Sequence, residues 1–141
     1  MKLTKNFNLE EFEQSSTADK YKINNSIPQH LMPYVLQLAE QLQLIRDTWQ
    51  SQITINSGYR CDKLNAKVGG AKNSDHKFAC AADITVGSRD KNKQLFTTIL
   101  SMVKQGKLHL RQIIDESNYK WLHLSVNNEY NGYRDNQILH L

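Results

Sequence analysis

The chain has 141 residues, 39% of them hydrophobic and 9% aromatic, with a formal charge of +4: the make-up of one globular domain, 1–141, with its own core. No apolar run approaches the roughly 20 residues that span a bilayer, and the opening "MKLTKNFNLEEFEQ" mixes acidic and polar residues where a secretory leader stays apolar, so a cytoplasmic chain without stable membrane association is the expectation. The charge would suit an anionic polymer such as nucleic acid or bacterial cell wall, but Lys and Arg form no block, so a solvated basic surface is the preferred reading, and Cys61 and Cys80 are too few for a disulfide framework.

In chain order, Asn8 with Glu11 three residues on has capping-box spacing and predicts a short first helix. Leu31, Val35, Leu38, Leu42, Ile45 and Trp49 alternate steps of four and three. They form the core stripe of a helix of about six turns beginning near Pro28. "QITIN" alternates polar and apolar as a half-buried strand does, and Gly58 ends it. "CDKLNAKV" reads as one or two helical turns stopped by Gly69 and Gly70, and "AADITV" as a second strand. "SRDKNKQLFTTILSMVKQG" is a helix whose inner face holds Leu95, Phe96, Ile99, Met102 and Val103, terminated by Gly106. "LHLRQIIDE" and "KWLHLSV" predict a β-hairpin, and the tail "NGYRDNQILHL" is weakly specified.

Within "SDHKFACAADI", His76 and Asp83 flank a segment of almost no side-chain bulk. Asp83 sits among Ala81, Ala82 and Ile84, where a carboxylate is costly to bury unless it is paired or binds a cation. Trp121, His123 and Ser125 share one face of the second hairpin strand, because side chains alternate with period two. Two histidines and a carboxylate are a ligand set for catalytic zinc that leaves a fourth position for water. Spacing alone leaves the plainer alternative open, a satisfied core or surface histidine. His30, His109 and His140 have no such company and read as structural or surface residues.

The run "SGYRCDKLNAKVGGAKNSDHKFACAADI" with the later "WLHLS" resembles the zinc D-Ala-D-Ala carboxypeptidase and L-alanyl-D-glutamate endopeptidase family of cell-wall peptidases. The matching positions are Ser57-Gly58-Tyr59-Arg60, Leu64-Asn65, Val68-Gly69-Gly70, Ser74, His76, Ala81, Asp83, Trp121, His123 and Ser125. The resemblance implies an α+β fold, with helices packed on a small antiparallel sheet, as in the Hedgehog signalling domain. It implies zinc held by His76, Asp83 and His123. It makes Arg60 the residue that holds a substrate carbonyl or carboxylate and stabilises an oxyanion; a surface ion pair is the alternative. Ser74 would hydrogen-bond beside the ligand loop, and Tyr59 would either pack or touch substrate.

Two departures accompany the resemblance. Ala79 stands where the family has glycine, and alanine fits there only if the backbone is not left-handed. Lys120 stands where typical members carry the Asp or Glu that takes the proton from water. Some branches carry the acid in a "Q-[IL]-I-x-E" segment, which Gln112 to Glu116 matches. A four-residue hairpin turn would set Glu116 on the His123 face, and a three-residue turn would set Asp115 there. Glu116 is the expected general base. The implied function is a monomeric zinc metallopeptidase that hydrolyses a peptide bond in peptidoglycan stem peptides, of D-Ala-D-Ala or L-Ala-D-Glu type. A phage or prophage lysis role fits a chain without a leader. A zinc-stabilised module that binds cell-wall peptide without cutting it is the alternative, and no recognition motif supports a nucleic-acid partner.

Overall fold

Asn8 opens α1 (Leu9–Glu13): its backbone N–H donates to the Glu11 carboxylate at 2.7 Å, one arm of the expected capping box. The computed structural model describes residues 1–141. A second short helix, α2 (Ser16–Lys20), follows, with Ser15 Oγ accepting from Ala18 N at 3.1 Å; its brevity hides it from periodicity. The long helix, α3 (Met32–Trp49), begins four residues later than expected, after a 3-10 turn at Gln29–Leu31. Pro33 explains the shift. In the first turn of α3 its missing N–H costs nothing, whereas a helix begun at Pro28 would hold it in the interior, where its ring clashes with the preceding turn. The expected stripe is buried throughout the middle of α3, from Val35 to Ile45.

The strands are β1 (Thr54–Ser57), β2 (Ala81–Thr85), β3 (Gln112–Glu116), β4 (Trp121–Ser125) and β5 (Gln137–His140). Two further helices are α4 (Asp62–Lys67) and α5 (Arg89–Lys104), the latter capped by Ser88 Oγ accepting from Lys91 N at 3.1 Å. The sheet order is β1-β2-β4-β3-β5. The first four strands are antiparallel, but β5 runs parallel to β3, with Ile113 opposite Ile138 and Ile114 opposite Leu139. The sheet is therefore mixed, which corrects the antiparallel expectation. The chain after β4 crosses to the far edge of β3 before it re-enters. Asn136 fixes that entry, its carboxamide accepting from Leu110 N at 2.8 Å and donating to Leu108 O at 3.0 Å.

Period-two alternation divides the sheet. Ala82, Ile84, Ile113, Leu122 and Leu124 point to one side and join α3 and α5 in a continuous core. Each of these Ile and Leu side chains contributes about 1.5–3 kcal/mol by leaving water. The other face carries polar residues. No helix is long and apolar enough to cross a membrane.

Candidate metal centre

Register builds the polar face. Ser57 pairs with Asp83, Asp83 with His123, and His123 with Ile114, so these residues form a row across four strands. The third histidine-or-carboxylate member of the cluster comes from outside the sheet. A 3-10 turn, Asp75–Phe78, is capped by Ser74 Oγ, which accepts from His76 N at 3.2 Å and delivers the His76 ring to Asp83.

His76 is 3% exposed, and its Nδ1 lies 2.6 Å from Gly58 O. A carbonyl only accepts, so Nδ1 carries the proton and Nε2 presents its lone pair inward. That Nε2 is 3.3 Å from Asp83 Oδ1, and His123 Nδ1 is 3.0 Å from the same oxygen. The two rings meet edge to face at 5.1 Å, and the three ligand atoms lie within 4.8 Å of one another. Lone pairs crowded at such distances need a cation or shared protons between them. A tetrahedral zinc with bonds of about 2.0–2.1 Å separates its ligands by about 3.3 Å. The donor set and its spacing fit that ion. Burial alone would raise the Asp83 carboxyl, but the His123 and His76 rings, where they are protonated and donate to it, outweigh that and hold the group well below the usual carboxylate range.

Glycine is required behind this cluster. A Cβ on Gly58 would sit 2.5 Å from Phe12 O, and one on Gly70 would sit 2.1 Å from the Asn65 side chain, which itself donates to Ala71 O at 2.9 Å. The small residues from Ala79 to Ala82 are all buried, so the chain passes tightly between the His76 turn and β4. Ala79 has φ of 59° and is left-handed. The condition under which alanine would fit in place of glycine is therefore not met: the methyl is held in a conformation that costs roughly 1–2 kcal/mol.

Arg60 donates from Nη2 to Ser74 Oγ at 3.2 Å, while its Nε is buried without a partner. It makes no ion pair, so the surface-pair alternative does not describe it. Burial lowers its pKa, and the nearby charges of Asp83 and Glu116 oppose that. Trp121 Nε1 is likewise buried and unpartnered, on the His123 face. Tyr59 is 7% exposed and part of the core, and burial pushes its hydroxyl up, with Cys61 and Asp62 adding to the effect. Packing is its observed state, though it also lines the cleft beside Arg60.

The hairpin turn has four residues, Ser117 to Lys120, and Glu116 pairs with Trp121. Glu116 is thus on the His123 face and half-buried, Asp115 is on the opposite face, and Lys120 is exposed in the turn.

Sequence reasoning missed two supports of this arrangement. Asp75 is buried and accepts from Arg111 Nη1 at 2.8 Å, Asn128 Nδ2 at 3.0 Å and Asn131 Nδ2 at 2.5 Å, which ties the His76 turn to the chain beyond β4. Asn92 is fully buried; its Oδ1 accepts from Val86 N at 2.8 Å and its Nδ2 donates to Tyr119 O at 2.9 Å and Lys120 O at 3.1 Å. It braces a turn in which Ser117, Asn118 and Tyr119 all have positive φ. An exposed-looking Asp or Asn in a sequence gives no sign of such partners. His140, expected at the surface without company, is exposed but contacts Asp115. Residues 5–125 match the family model described as Peptidase M15, and no curated protein matches the chain.

Proposed function

The chain belongs to the Peptidase M15 family, and from that membership we propose that it is a zinc-dependent metallopeptidase that hydrolyses a peptide bond in bacterial peptidoglycan stem peptides. The bond is of D-Ala-D-Ala or L-Ala-D-Glu type, and a phage or prophage lysis enzyme is the setting that fits. The observation that carries this reading is the convergence of His76, Asp83 and His123, one ligand atom of each within 4.8 Å of the others, with Gly58 O directing the His76 lone pair inward.

His76, Asp83 and His123 would hold zinc, which supplies Lewis acidity and makes water nucleophilic near neutral pH. Glu116, on the same sheet face as His123, accepts the proton of the attacking water and returns it to the leaving amine. Arg60 donates to the carbonyl oxygen as it gains charge, or to a substrate carboxylate. Its Nε lacks a partner in the free protein and is free to find one there. Ser74 holds the guanidinium and the His76 turn together. Lys120 is the one observation on the side of a zinc-stabilised binding module, since it stands where typical members carry the base.

Metal analysis of the wild type and of His76→Ala, with a stem-peptide digest of the wild type and of Glu116→Gln, tests the reading. One zinc per chain, lost in His76→Ala, with hydrolysis by the wild type and strongly reduced hydrolysis by Glu116→Gln, is the expected result. Zinc without hydrolysis in the wild type would favour the binding module. Absence of zinc after reconstitution would refute both.

A further inference from the structure

Through Asp83, the one residue of the centre that lines it, the centre adjoins a cleft of about 250 Å³. One wall is the α1–α2 junction, Gln14 to Thr17; the other is β1 with Arg60, and Asp83 opens into it. Its polar lining is hydroxyl and carboxamide groups, with Arg60 the only cation and Asp83 the only carboxylate. Such a lining offers hydrogen bonds to peptide groups and a positive charge to an anionic ligand.

β1 is the terminal strand of the sheet, so no strand pairs with its outer edge. Outside the β1–β2 ladder, no backbone hydrogen bond involves Thr54 to Ser57. An open edge of this kind is a template for an extended peptide. The edge is also irregular at one point. Ile55 pairs with Ile84 and Ser57 pairs with Asp83, which leaves Asn56 as the extra residue of a bulge. Strict alternation would send Asn56 and Ser57 to opposite faces. The bulge re-aims the chain, and both residues line the cleft. Asn56 is exposed there. A carboxamide carries a donor and an acceptor side by side, the complement of a peptide group.

We propose that Asn56 is a substrate-binding residue: its carboxamide pairs with one peptide group of an extended peptide lying along the open edge of β1, next to the His76–Asp83–His123 centre. Arg60 holds a carbonyl or carboxylate oxygen of the same ligand. The bulge interrupts the edge, so only one or two peptide groups are held, which suits a short stem peptide rather than a protein substrate. This inference rests on the peptidase reading above.

The test is steady-state hydrolysis and equilibrium binding of a synthetic stem peptide by zinc-loaded wild type, Asn56→Ala and Asn56→Asp. Asn56 is exposed, so both variants are expected to keep wild-type folding and metal content. Loss of the paired hydrogen bonds should raise KM and Kd about five- to tenfold in Asn56→Ala, with kcat within about a factor of two. Asn56→Asp, which keeps the acceptor but loses the donor and adds negative charge, should bind no better than Asn56→Ala. Wild-type KM and Kd in Asn56→Ala would overturn the proposal and leave the peptidase reading standing. A zinc-loaded wild type that neither binds nor cuts the peptide would overturn the peptidase reading, and this inference with it.

Discussion

Two carboxylate–histidine contacts occupy the same sheet and face opposite ways. Asp83, on β2, meets His123 from β4 and His76 from the turn above, and all three groups are largely enclosed. Asp115, on β3, meets His140 from β5, with side chains 8% and 64% exposed. In the first, the carboxylate is shared by two imidazoles, one of them oriented by Gly58 O, and a third direction opens onto the cleft. In the second, one exposed imidazole covers one buried carboxylate, and the contact fastens the parallel edge strand. An Asp beside a His is therefore not in itself a metal centre. A third converging donor and a fixed tautomer distinguish the two.

Metal content should break the comparison most sharply. His76→Ala or Asp83→Asn should lose zinc and nearly all hydrolysis, whereas His140→Ala should retain one zinc per chain by atomic absorption. Kinetics come next. Glu116→Gln should lower kcat about 10²–10⁴-fold, the range for a lost general base, with zinc retained. Asp115→Asn, its neighbour on the other face, should leave kcat unchanged; equal losses in the two would mean that the four-residue turn does not select the base. Arg60→Lys should reduce kcat/KM about 10²-fold, since an ammonium lacks the planar fork that reaches both Ser74 and a substrate oxygen. For stability, His140→Ala should cost about 1 kcal/mol in a denaturant titration, because it leaves Asp115 with one partner fewer. The smallest effect is expected from Ala79→Gly. Relief of the left-handed alanine, about 1–2 kcal/mol, is offset by roughly 0.8 kcal/mol for the buried methyl. The melting midpoint should rise slightly with zinc content unchanged, and a fall would show that the methyl packs better than its backbone angle suggests.

What could be read in advance depended on how local its cause was. The α3 stripe, the α5 inner face and the alternation that sets Trp121, His123 and Ser125 on one side follow from periods of 3.6 and 2 within single segments. Pro33 moved the start of α3 through an equally local rule that the stripe alone did not reveal. β5 was opaque because an edge strand with alternating partial burial carries little hydrophobic signal, and its parallel pairing depends on where β3 ends.

The sequence by itself determined the helical stripes, the strand faces, and the motif residues His76, Asp83 and His123 that bring the family resemblance. Their residue types and short-range spacing are properties of the chain. Only the tertiary structure decided that His76 Nδ1 finds Gly58 O, that Glu116 rather than Asp115 shares the His123 face, that Ala79 is left-handed and that Asn56 bulges into the cleft. The first and last depend on contacts between segments far apart in sequence, the second on the length of the hairpin turn and the third on how the chain leaves the His76 turn. A shift of one residue in strand register turns every side chain of a strand to the other face, and no local pattern records which shift the folded chain adopts.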